Sequence, residues 1–153
     1  SMGNSIFGTG GFSARLMSIV RDDEGLTYGI YSVLGDDTFT DGQFYISGTF
    51  SPDLLAKGYN STMREFKRWV KDGVTAEELS AAKTRAIGSY KVGLSTTRGL
   101  AGSLLSITQR GYEPSYMDEY PALIENITLD EVNAAIKKYI NPDKVIKSVF
   151  LRS

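Results

Sequence analysis

The chain has 153 residues, 41% of them hydrophobic and 23% charged, with a formal net charge of −1. One globular domain of this length buries roughly 70% of its unfolded surface, and near-neutrality excludes a global field that would attract nucleic acid or anionic lipid. With no cysteine and no histidine, the chain cannot build a disulfide, a reactive thiolate, a Ser-His-Asp triad or the nitrogen and sulfur donors of a zinc hydrolase site.

In chain order, the opening SMGNSIFG has neither the basic stretch nor the long apolar stretch of a signal peptide. No apolar run is long enough to span a membrane. Ser1 ahead of Met2 reads as an added start residue, so residues 1–3 are set apart from a domain over 4–153. Ser5-Ile6-Phe7 reads as the tail of an element that leads into Gly8-Thr9-Gly10-Gly11. That glycine run opens a helix on which Phe12, Leu16, Ile19 and Val20 recur at helical spacing, with Met17 beside them. Gly25 suits the left-handed residue that ends a helix.

TYGIYSVLG (27–35) and QFYISGTF (43–50) are rich in aromatic and β-branched residues and predict two strands. The acidic DDTFTDG (36–42) between them predicts a hairpin turn; it is not a calcium loop, because Phe39 falls where a ligand should stand. Ser51-Pro52-Asp53 predicts an N-cap and first turn, followed by a long helix through Leu55, Tyr59, Met63, Phe66 and Val70 that stops near Gly73. Thr75 with Glu78 forms a capping-box pattern that starts a helix with Leu79, Ala82, Ala86 and Tyr90 inward. Its Lys83, Arg85 and Lys91 make no continuous stripe and read as a solvated face. A further helix carries Leu100, Leu104 and Ile107, and residues 116–127 read as a short helix with Pro121 in its path. Thr128 with Glu131 is a second capping box, leading Val132, Ile136 and Tyr139, and VIKSVFL (145–151) predicts a last strand.

Helices segregated from strands that pair through a tight turn argue an α+β fold, with helices packed on one face of an antiparallel sheet. Three strands are a small platform for that many helices. The imbalance predicts a half-domain lacking its first strands, and bare sheet edges that pair with another chain, as in a homodimer.

Two places invite a functional reading. The loop GTGGFS can cradle an anion at a helix N-terminus, or it can be a tight turn that lets strand and helix approach closely. The dinucleotide fingerprint needs a glycine where Ser13 stands. The second place is the corner RDDEGLTYG (21–29), where Asp22, Asp23 and Glu24 crowd a helix C-terminus that disfavours acids. Arg21 lies in the last helical turn and Tyr28 opens the strand, and the reversal at Gly25 lets both point into one space. A guanidinium fork can hold a peptide carbonyl, and a phenol can donate to that carbonyl or to the oxyanion it becomes. The alternative has Arg21 capping the last carbonyls and Tyr28 packing under the hairpin.

GGFSARLMSIVRDDEGLTYGIYS resembles the signature of the C-terminal, non-catalytic half of M16 metallopeptidases, the pitrilysin, insulinase and mitochondrial processing peptidase group. The shared pattern is a glycine turn (Gly10-Gly11), a Ser-x-Arg-Leu helix (Ser13 to Leu16), Arg21, and Gly-Leu-x-Tyr (Gly25 to Tyr28). The resemblance implies two similar α+β halves closing on a peptide, one holding zinc through an inverted His-x-x-Glu-His motif. The other half supplies an arginine and a tyrosine that steady the substrate backbone, by position Arg21 and Tyr28 as substrate-binding residues. This chain would hold no cofactor, with zinc in the other half. Its partners would be that zinc-bearing half and a peptide substrate; the compartment is left open, a bacterial periplasm and a cytoplasm both being compatible with the sequence. The acids at 22–24 depart from the family's usually basic or mixed stretch, and exposed acids there would favour a basic peptide or simply be solvated. A structural scaffold subunit of the same family and an unrelated α+β binding module stand as alternatives.

Overall fold

The computed structural model describes residues 2–35 and 42–150. The hairpin turn predicted at 36–42 lies outside them except for Gly42, as does Leu151 at the end of the last predicted strand.

The chain starts as a helical turn, α1 (Met2–Asn4), that widens into a π turn, π1 (Ser5–Thr9). A 3-10 turn (Gly11–Ser13) and a second π turn, π2 (Met17–Asp23), follow. Then come β1 (Gly29–Leu34) and β2 (Phe44–Thr49), which pair antiparallel with Gly29 opposite Thr49 and Leu34 opposite Phe44. The remaining elements are helical: α2 (Leu55–Asp72), α3 (Ala76–Leu94), α4 (Thr97–Gln109), α5 (Tyr116–Asn126) and α6 (Leu129–Tyr139). The architecture is α+β.

Alternation along β1 sets the layers. Ile30 and Ser32 are buried toward the helices, while Tyr31 of β1 and Tyr45 of β2 face outward and stay exposed. One sheet face is therefore covered by helix and the other is open. Phe7 of π1 stacks on Trp69 of α2 with ring centroids 4.4 Å apart, and Phe66 and Phe44 close around the pair. Leu16, Val20, Leu79, Val132 and Ile136 complete this core.

The glycine run works by close approach. A Cβ at Gly8 would fall 2.2 Å from Ser32 Oγ and 2.5 Å from its backbone N, so only glycine lets π1 lie directly on β1. The contact is also polar. Asn4 Nδ2 donates to Thr9 Oγ1 (2.7 Å), Thr9 donates to the Ser32 carbonyl (2.8 Å), and Ser32 Oγ donates back to Asn4 Oδ1 (2.5 Å). Each of these side-chain groups has its partner, as burial at such a junction requires.

Both capping boxes form, with Thr75 accepting from Glu78 N and Thr128 accepting from Glu131 N at 3.2 Å each. The Ser51 cap does not form. Residues 52–54 make a turn in which Leu54 N bonds the Ser51 carbonyl, and α2 begins only at Leu55. Phe50 packs so tightly on Gly58 that a Cβ there would lie 2.1 Å from the ring, which fixes where the chain joins α2. Pro121 sits inside α5 without ending it. Leu100 and Leu104 of α4 are exposed and only Ile107 is buried, because α4 packs mainly on α3 and α5.

Residues 145–150, predicted as strand, carry no ladder. Pairing needs a neighbouring strand edge, and among the described residues the sheet consists of β1 and β2 alone. Ile146 and Phe150 are left 97% and 94% exposed. No helix among the described residues is long and apolar enough to cross a membrane.

Candidate functional site

The corner between π2 and β1 is built by backbone bonds that only a left-handed residue allows. Gly25 has φ of 62°. Its N–H bonds the Arg21 carbonyl and the Leu26 N–H bonds the Val20 carbonyl, both at 3.0 Å. The π winding widens the turn that carries Arg21, a distortion often found at functional sites. Thr27 is buried at the bend, its hydroxyl on the carbonyl oxygens of Thr49 and Gly29 and accepting from Gly29 N at 3.2 Å. It pins the corner to β2, and the next side chain, Tyr28, is thrown outward.

The two residues singled out from the sequence come together. The Arg21 guanidinium carbon lies 6.0 Å from the Tyr28 ring centroid. Tyr28 is 88% exposed, and its hydroxyl has no bond among the described residues. The Arg21 side chain keeps 30% of its surface exposed. Neither Arg21 as a cap on its own helix nor Tyr28 under the hairpin is what the structure adopts. A third residue joins them. Phe12, expected on the helical face with Leu16 and Val20, sits in the 3-10 turn and is 72% exposed, its ring 5.0 Å from the guanidinium carbon. Helical spacing places it on that face, but it belongs to a 3-10 turn that falls before the helix begins.

The three acids divide their roles. Asp22 stands 3.4 Å from Arg21 Nη1, and Asp23 is exposed. Glu24 reaches α2, accepting from Ser61 Oγ and pairing with Arg64. The Ser61 hydroxyl, with help from Arg64 and against burial, holds its carboxyl below the ordinary glutamate value near 4.5. This tie offsets the repulsion of an acid at a helix C-terminus. Arg15 makes a second tie: its Nε and Nη2 meet Glu78 Oε1 and Oε2 at 2.5 and 2.6 Å. Burial opposes ionisation of Glu78, but Arg15 and the Thr75 N–H outweigh it and keep the carboxyl below its usual range. Glu78 thus caps α3 and anchors the Ser-Ala-Arg-Leu turn from which the Arg21 helix grows.

Both carboxyls titrate lower folded than unfolded. Their contribution is present above the unfolded value and lost as pH falls through the folded one. Stability is therefore expected to drop as pH falls below about 4.5, and Glu78→Gln should lose about 1–3 kcal/mol at neutral pH and flatten that drop. Thermal melts of both proteins across the range check this. Parallel curves would show that the Arg15–Glu78 pair carries no weight.

The chain has no histidine or cysteine, and among the described residues no three acidic side chains gather into a metal cluster. Its residues do not fit a zinc ion.

The described residues form an α+β layer of helices on an antiparallel hairpin that presents Arg21 and Tyr28 together at one corner. Residues 2–86, more than half the chain, match the family described as peptidase M16 inactive domain, and the chain belongs to that family. It is 30% identical over 134 residues to a protein named an uncharacterized zinc protease in Mycobacterium tuberculosis, covering 86% of this chain and 30% of that one. It is 26% identical over 132 residues to a non-peptidase homolog of Helicobacter pylori, covering 85% and 30%. The crystal structure of a peptidase M16 inactive domain from Pseudomonas fluorescens superposes with a TM-score of 0.83 at 32% identity, over 94% of this chain and 34% of that one. The chain thus spans about 30% of the length of the curated relatives it matches.

Proposed function

We propose that the chain is the substrate-binding, non-catalytic part of an M16-type zinc metalloendopeptidase. It completes a peptide-cleavage site opposite a zinc-bearing half supplied elsewhere. The observation that carries this reading is the meeting of Arg21 and Tyr28 on open surface, 6.0 Å apart, at a corner braced by Gly25 and Thr27. The Arg21 fork holds a backbone carbonyl of the peptide. The Tyr28 hydroxyl donates to the carbonyl under attack and strengthens that bond as the oxygen gains charge. Zinc names among the relatives support a metal in the parent assembly, and this chain supplies no ligand to it.

A second reading is a scaffold subunit of the same family, favoured by the relative named a non-peptidase homolog. The two separate in one experiment. The chain is assembled with its zinc-bearing half and cleavage of a quenched peptide is followed. Arg21→Ala is expected to lower kcat/KM by about 10–150-fold, the worth of a charge-assisted hydrogen bond, mostly through KM. An assembly that binds zinc yet cleaves nothing, or one indifferent to Arg21→Ala, supports the scaffold instead.

A further inference from the structure

We infer that a second copy of this chain pairs with the outer edge of β2, antiparallel and centred on Ile46, so that two hairpins join into one four-stranded sheet.

The hydrogen-bonding phase of the hairpin decides which groups β2 offers. Gly35 N donates to the Gln43 carbonyl at 2.7 Å, so Gly35 and Gln43 stand as a hydrogen-bonded pair. Bonded and unbonded pairs alternate along an antiparallel ladder. In the observed register Tyr45 and Ser47 therefore bond β1, while the N–H and C=O groups of Phe44, Ile46 and Gly48 point away from it. Among the described residues these outward groups have no backbone partner. The opposite edge of the hairpin differs. There the Ser32 carbonyl accepts from Thr9, and the Ile30 N–H meets Met17 Sδ at 3.5 Å, so the N-terminal turns cover it. With one edge covered and one open, pairing closes at two copies instead of growing.

The open edge lacks the usual protections. Residues 44–49, FYISGT, contain no charged residue and no proline, and their register with β1 runs without a bulge. The edge also matches itself. A twofold axis at Ile46 sets it opposite Ile46 of the partner subunit as a bonded pair, with Phe44 opposite Gly48 of the partner subunit. Each phenylalanine thus meets a residue without a side chain, and no like charges face each other along the strands. Phe44 and Ile46 are only partly buried at the margin of the core, and the second copy gives them cover. Tyr45, on the open face, falls opposite Ser47 of the partner subunit as an unbonded pair. An edge this short buries less than a standard interface, so the dissociation constant is expected at about 10–100 μM.

Sedimentation equilibrium of the chain should show monomer and dimer exchanging in that range. Tyr45→Lys with Ser47→Lys sets like charges opposite each other twice across the axis and should weaken the dimer at least about tenfold. Tyr45→Lys with Ser47→Glu makes both pairs attractive and should return the constant to within about fivefold of the unmodified chain. An independent reading uses the absence of cysteine. In Tyr45→Cys with Ser47→Cys the unbonded pair brings Cα atoms to about 4.5 Å, within disulfide reach, so oxidation should give a reducible dimer. Ser47→Cys alone, about 7–8 Å from its own copy, should not. A chain that stays monomeric at about 500 μM overturns the inference. So does a dimer indifferent to Tyr45→Lys with Ser47→Lys, or cross-linking equal in the single and double cysteine variants. A dimer lost instead in Ile146→Asp with Phe150→Asp, whose side chains are almost fully exposed, assigns the contact to residues 145–150 and overturns it as well.

Discussion

Tyr28→Phe in the assembled peptidase is expected to lower kcat tenfold to a thousandfold, the range for removing one oxyanion donor. The change deletes a single hydroxyl. That hydroxyl bonds nothing among the described residues and the side chain is 88% exposed, so folding should be untouched, within about 0.5 kcal/mol. The ring is kept, and with it the contact to Arg21. The corner is held by Thr27 and by the Gly25 backbone bonds, which the substitution does not reach. In the proposed role KM should move little, because a bond from the phenol to the carbonyl would gain strength only as that oxygen becomes charged. Steady-state kinetics with the zinc-bearing half decide the matter. A kcat equal to that of the unmodified protein would refute a role for Tyr28 in the reaction.

Trp69→Ala is expected to destabilise the chain by about 3–5 kcal/mol and lower its melting midpoint by about 6–20 °C. Trp69 is 2% exposed and stacks flat on Phe7, with Phe66 and Phe44 on its flanks. Truncation leaves a void between π1, the hairpin and α2 that rigid rings cannot collapse into. Trp69→Phe should cost much less, about 1–2 kcal/mol. The indole Nε1 is buried with no acceptor among the described residues, so exchanging it for carbon removes an unpaired donor and offsets part of the lost volume. Circular dichroism melts measure both. Equal losses for the two variants would mean that the indole bond is satisfied after all.

Local chemistry explains what could be read from the sequence. Both capping boxes follow from Thr and Glu three apart, and the hairpin follows from two aromatic, β-branched runs. The glycine run's close approach was among the two readings open for that loop. Arg21 and Tyr28 were legible because one glycine reverses the chain between them. What escaped depends on partners distant in sequence. Arg15 meets Glu78 across 63 residues, and Glu24 meets Arg64 across 40. Nothing local says which acid in a run of three will find an arginine. Phe12 fell into the helical count because a 3-10 turn keeps a similar spacing while pointing the ring elsewhere. Residues 145–150 have strand composition, but composition supplies no neighbouring edge.

The winding of π2 makes the distance from Arg21 to Tyr28 a matter of phase as well as of length. Removing one residue from 22–24 would allow the segment to rewind as an ordinary α-helix, and each residue of α-helix advances the direction of a side chain by about 100°. The guanidinium would then swing away from both rings although every residue of the arginine–tyrosine pair was still present. Chains that keep these two amino acids but differ by a single insertion or deletion between them should therefore have parted company with this surface, and counting the interval is as informative as finding the letters.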